Sequence, residues 1–110
     1  MEKITVERDN KKDISFIGEL LAKTSSSDDR AMGSSYSGET GRWQVLKLYK
    51  TEQGNFVCQR INRTCWQGER DSYEAVICKN ELEIFDFFGY SWLAKDLYIE
   101  ANINNLEIIN

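Results

Sequence analysis

The sequence predicts an α+β domain: an antiparallel sheet of about five strands with two short C-terminal helices packed on one face. Three observations lead there. Short runs of alternating apolar and polar residues recur as far as Cys78, which is the two-residue period of strands. The segments between these runs have hairpin chemistry, clearest at Glu52-Gln53-Gly54 and around Gly68. Helical spacing with capping residues begins only after Cys78, and strands followed by helices is the order of an α+β fold. A chain of 110 residues has room for one core, so residues 1–110 read as a single domain.

The first strand is read at ITVER (4–8) and the second at ISFIGELLAK (14–23), on either side of the polar turn DNKKD. In the second run Ile14, Phe16, Gly18, Leu20 and Ala22 fall on one face, with Ser15, Glu19 and Lys23 on the other. Ile17 and Leu21 interrupt the polar side, so part of that face is expected to be covered too. Gly18 and the β-branched Ile14 and Ile17 weigh against a helix.

Residues 24–42, TSSSDDRAMGSSYSGETGR, hold six serines and three glycines. So little apolar material predicts a flexible loop, or one ordered by a partner through Met32 and Tyr36, its only substantial apolar anchors.

RWQVLKLYK (42–50) and NFVCQRI (55–61) form the clearest hairpin. A three-residue loop with Gly54 left-handed sets Lys50 opposite Phe56 and Leu48 opposite Cys58. Trp43, Val45 and Tyr49 share one face and Leu46 and Leu48 the other, as in a central strand covered on both sides. SYEAVIC (72–78) alternates as a further strand. A turn centred on Gly68 would place Ile61 opposite Ala75 and Cys58 opposite Cys78. Asn80 caps a first helix, with Glu83 at capping-box spacing and Gly89 at its end. Ser91 caps a second, WLAKDLYIEA, in which Leu93, Leu97 and Ala101 make one stripe. Phe85, Phe88, Leu93 and Leu97 are the residues expected to bury against the sheet. The tail NINNLEII reads as a last strand or an extended segment.

Composition restricts function more than it identifies it. Fourteen basic and 18 acidic residues give a formal charge of −4, so the global basic footprint of a nucleic-acid binder is absent. With no histidine, the chain has no Ser-His-Asp or Cys-His pair and no histidine-ligated metal site. With no proline it offers no proline-rich docking segment. Cys58, Cys65 and Cys78 are too widely spaced for the close pairs of zinc or redox motifs. No apolar run spans a bilayer and the charged start lacks a secretory core, so the expected location is the cytoplasm. No cofactor is implied.

Candidate chemistry concentrates in RTCWQGERDSYEAVIC (63–78). Cys65 has Arg63 and Arg70 nearby but no proton acceptor, so it reads as an ordinary thiol. Glu69, Asp71 and Glu74 alternate with arginine, which reads as a solvated charge cluster, not an acid–base pair. Arg60, Arg63 and Arg70 with Trp43 and Trp66 are the ingredients of a single-strand binding patch. The competing reading pairs those arginines with Glu69, Asp71 and Glu74. GSSYSGETGR lacks the lysine-serine ending of a phosphate loop.

Three runs also bear on kinship. Asn104-Asn105-Leu106-Glu107-Ile108, Phe16-Ile17-Gly18-Glu19-Leu20-Leu21, and Val45 with Leu48-Tyr49-Lys50-Thr51, Gly54 and Phe56 are similar to motifs of the EXLDI family of bacterial proteins. The first carries Asn for the leading Glu, and Glu for Asp. The resemblance implies a shared architecture and a bacterial origin, and it transfers no catalytic residue.

The function expected from these readings is that of a small non-catalytic bacterial protein working through protein–protein contacts, regulatory or inhibitory. One form is a phage- or plasmid-borne inhibitor of the anti-CRISPR type, laying its carboxylates in a basic groove. Trp, Tyr and Arg dominate binding energetics, so the contact residues expected are Arg63, Trp66, Glu69, Arg70 and Tyr36. The alternative is a nucleic-acid-binding module using the arginine and tryptophan patch at the 63–70 hairpin end.

Overall fold

The computed structural model describes residues 1–26 and 41–104. It is the expected α+β architecture: five antiparallel strands curled into a half-barrel, with two C-terminal helices. The strands are β1 (Glu2–Val6), β2 (Ile14–Ser25), β3 (Arg42–Thr51), β4 (Phe56–Thr64) and β5 (Ser72–Cys78), each paired with its predecessor. The helices are α1 (Glu81–Phe88) and α2 (Trp92–Glu100). Among the described residues no helix is long and apolar enough to cross a membrane.

Both helix starts follow from local chemistry. Asn80 Oδ1 accepts the Glu83 amide at 3.0 Å, and Ser91 Oγ accepts that of Ala94 at 3.2 Å. These caps satisfy amides that the first turn leaves unpaired. Glu83 Oε1 reaches back to the amide of Lys79, one residue before the cap. Gly89, at φ 76°, ends α1 in a conformation that favours glycine.

Each face of the sheet carries a buried cluster. On the outer face, α2 lies over β2 and β3 while α1 lies over β4 and β5. Leu46, Leu48, Cys58 and Cys78 meet Ile84, Phe88, Leu93, Leu97 and Tyr98 there. Phe85, expected in this core, is only partly buried, and Ile84 takes the deepest place on α1. On the inner face, Val6, Ile14, Tyr49, Val57 and Ala75 form a second core, with Phe16 set edge-on to Tyr49 at 5.4 Å. The turn after β1 crosses this side: Asp9 exchanges two hydrogen bonds with Tyr73 of β5, and Gln59 Nε2 donates to Glu7 O.

The β3–β4 register is the expected one, with Lys50 opposite Phe56, Leu48 opposite Cys58 and Gly54 at φ 93°. Four readings are corrected. β1 runs from Glu2 to Val6, two residues earlier than ITVER, because the chain beyond Val6 turns toward Tyr73. The second strand continues through Ser25, two residues into the stretch read as loop. Thr24 is buried there, its hydroxyl directed at Leu93 O. Residues 27–40, with Met32 and Tyr36, lie outside the described residues, as do tail residues 105–110.

The third correction is a bulge between Leu20 and Ala22. The extra residue turns Ala22 away from the face of Ile14 and Phe16, and it joins Leu46 and Leu48 beneath the helices. The fourth is the β4–β5 register, in which Cys58 faces Val76 and Ile61 faces Tyr73, two residues from the expected pairing. Gly68, at φ 89°, is the third residue of the turn Trp66-Gln67-Gly68-Glu69, so the ribbon folds about Gln67. A shift of two preserves the faces.

At Gly18 the backbone of β2 lies close against that of β3. A Cβ added there would lie 2.2 Å from the main-chain oxygen of Lys50. Gly18→Ala is therefore expected to destabilise by about 1–3 kcal/mol, since backbone must move to admit the methyl. Urea unfolding checks this, and an unchanged midpoint would mean that the strands separate freely at this point.

Candidate functional site

The hairpin end between β4 and β5 is built around Thr64. Its hydroxyl donates to Glu69 Oε1 at 2.6 Å and accepts the Trp66 amide at 3.1 Å, while its own amide donates to Asp71 Oδ1 at 3.0 Å. The Cys65 amide bonds Gly41 O at 2.8 Å, anchoring the loop to the start of β3. The loop is thereby held by hydrogen bonds at both ends.

The arginines are largely spoken for. Arg42 grips Glu69 with two nitrogens, Arg63 Nη1 meets Asp71 Oδ2 at 3.1 Å, and Arg60 Nη1 meets Glu74 Oε1 at 2.9 Å. The hydrogen bonds from Arg42 and then Thr64 hold the Glu69 carboxyl below the usual range. Arg60 also donates to Phe87 O and lies 4.4 Å from the centroid of the Phe87 ring, so it ties α1 to the sheet and is no part of an open patch. The carboxylates Glu69, Asp71 and Glu74 are thus divided among three cations. Arg70 is exposed and makes no ion pair among the described residues.

Trp66 is half-exposed, at 47%. Its indole lies on Gly41, where an added Cβ would come within 1.8 Å of Nε1. Only a residue without a side chain admits the ring there. Beside this loop is an open groove of about 810 Å³, walled in part by Arg42, Trp43, Arg63, Glu69 and Arg70. The fold therefore brings Arg63, Glu69 and Arg70 to one groove, while Trp66 turns onto Gly41 instead of joining its walls. Tyr36 lies outside the described residues. Arg42 was not anticipated as the partner of Glu69. They are distant in sequence, and only the pairing of Arg42 with Thr64 brings them together.

The thiols occupy two environments. Cys58 and Cys78 are buried beneath the helices with sulfurs 3.5 Å apart, diagonal neighbours across β4 and β5, and both are free. Their mutual hydrogen bond and then burial push the Cys58 thiol up, away from the reactive thiolate. Cys65 is exposed on the loop, and its neighbour Arg63 is engaged by Asp71. Among the described residues no three Cys, Asp or Glu side chains are grouped as metal ligands would be.

No family model matches the chain, and neither the curated proteins nor the solved structures contain a match to it.

Proposed function

We propose that this chain is a non-catalytic binding protein that engages another protein through the β4–β5 hairpin end, with a regulatory or inhibitory outcome. One observation carries the reading. Trp66 is half-exposed yet fixed, its ring seated on Gly41 and its amide held by Thr64, in the same loop as Arg70, which is exposed and makes no ion pair among the described residues. An aromatic side chain already ordered loses little entropy on docking, and tryptophan and arginine are the residues that most often dominate an interface. Glu69 and Arg63 supply a paired polar border. Kinship with the EXLDI proteins and a bacterial origin belong to the same proposal, resting on the runs at 16–21 and 45–56.

Tagged protein used as bait in bacterial extract tests this. A Trp66→Ala/Arg70→Ala double variant is expected to release the bound protein that wild type and a Leu82→Ala control retain. Once that protein is purified, Trp66→Ala alone is expected to weaken binding by about 2 kcal/mol, or roughly thirtyfold. Equal retention by all three baits would remove the hairpin end from the interface.

The groove favours one second reading, a single-stranded nucleic acid, because Trp43, Arg63 and Arg70 line it together. Gel shift of labelled single-stranded DNA at low salt, abolished by Arg63→Ala with Trp43→Ala, would replace the first reading with this one.

A further inference from the structure

The inner face of the sheet carries a polar row that the hairpin-end reading does not use. Lys23 on β2 is the direct cross-strand partner of Lys47 on β3, and Lys47 in turn faces Gln59 on β4. Direct partners share a face with Cβ atoms about 4.5–5.5 Å apart, and like charges so placed repel. The bulge at Leu21 creates this juxtaposition, since without the extra residue Lys23 would point to the other side of the sheet.

The Glu100 carboxylate of α2 accepts the main-chain amide of Lys23 at 2.7 Å. Among the described residues neither ammonium forms an ion pair. Gln59 is buried, and its amide is committed to Glu7 O at the end of the β1 side. Val45 and Tyr49 flank Lys47 on its own strand and are buried. Arg63, farther along β4, adds a third positive charge and gives one nitrogen to Asp71. Burial first, then Lys23 and Arg63, lower the Lys47 pKa from the ordinary lysine value. The free protein thus holds two repelling cations together, one of them half-buried, on the inside of a curved sheet.

We propose that Lys23 and Lys47 form a binding site for a phosphate-type polyanion on the inner face of the half-barrel, with Arg63 adding long-range attraction. A multiply charged phosphate spanning the two ammonium groups turns their repulsion into two charge-assisted contacts. Phosphate of this kind comes either from a small phosphate compound or from a nucleic-acid backbone. Neither lysine is among the described walls of the hairpin-end groove, and Arg63 borders both sites.

Thermal unfolding of wild type, Lys23→Met and Lys47→Met in low-salt, phosphate-free buffer tests the site. The probes are sodium tripolyphosphate, a twelve-residue oligothymidylate, and sodium chloride at matched ionic strength. One millimolar tripolyphosphate is expected to raise the wild-type Tm by roughly 3 °C or more, saturably, where chloride does not. Both methionine variants are expected to lose that shift. Without anion, Lys47→Met is expected to unfold at or above the wild-type temperature, because the apolar stem stays and the repelled charge goes. The same lysine-dependent shift with oligothymidylate identifies the backbone as the source, and a shift with tripolyphosphate alone identifies a small compound. A shift no larger than that of chloride, a shift equal in all three proteins, or a Lys47→Met protein that melts well below wild type in the absence of anion would overturn the site.

Discussion

Tyr98→Ala is expected to cost about 3–5 kcal/mol, a large share of the roughly 5–15 kcal/mol that holds a domain of this size together. Tyr98 is fully buried between α2 and the sheet, edge-on to Phe85 at 4.9 Å. Its hydroxyl donates to Gly89 O at 2.6 Å, the carbonyl of the residue that ends α1. One side chain therefore fills the outer core and fastens the two helices to each other. Tyr98→Phe separates these roles. It keeps the ring and strands the carbonyl, for an expected loss of about 1–3 kcal/mol. Urea unfolding by circular dichroism measures both, and a Tyr98→Phe protein as stable as wild type would reduce the residue to a space filler.

The same hydroxyl sets a pH dependence. Burial, and then the neighbouring Tyr90, raise the Tyr98 pKa above that of a free tyrosine. The unfolded chain therefore releases this proton first as pH rises, so the contribution is complete below about pH 10 and falls above it. Tyr98→Phe lacks that ionisation, and its stability is expected to decline less steeply in the alkaline range.

Leu48→Ala is expected to cost about 2–5 kcal/mol, and Leu20→Ala less than about 1 kcal/mol. Leu48 has no exposed surface and stands at the middle of β3, facing Cys58 across one strand border and Ala22 across the other. Leu20 is 48% exposed on the inner face, opposite Tyr49. Truncation at Leu48 leaves a cavity roofed by helices that cannot follow it inward, whereas water already reaches Leu20. Comparable losses at the two positions would mean that the inner face contributes as much as the helix-covered one.

What the sequence disclosed was what neighbouring residues decide. Asn80, Ser91 and Gly54 act on backbone groups within a few residues, so the caps and the β3–β4 register were legible from spacing alone. The bulge at Leu21 was not: Leu20, Leu21 and Ala22 are all apolar, so the pattern carries no mark of where the faces exchange. The β4–β5 register differs by two from the expected one because spacing marks Gly68 as a turn residue without saying that it stands third in the turn, not at its centre. At the site, the pairings Arg63–Asp71 and Arg60–Glu74 were among those anticipated, being close in sequence or directly cross-strand. Arg42–Glu69, the perch of Trp66 on Gly41, and the Lys23–Lys47 pair each join segments that only the finished sheet brings together.

The two bonds between Asp9 and Tyr73 have a bearing on how the chain assembles. Every strand pairs with the one before it, and all the borders but β2–β3 close from short connections at little entropic expense. Asp9 and Tyr73 are separated by 64 positions, so without the intervening strand borders their contact would close a far longer and costlier loop. The clasp is accordingly a late event: it fixes the curvature of a ribbon already complete, and its influence falls on how slowly the native state opens more than on how quickly it forms.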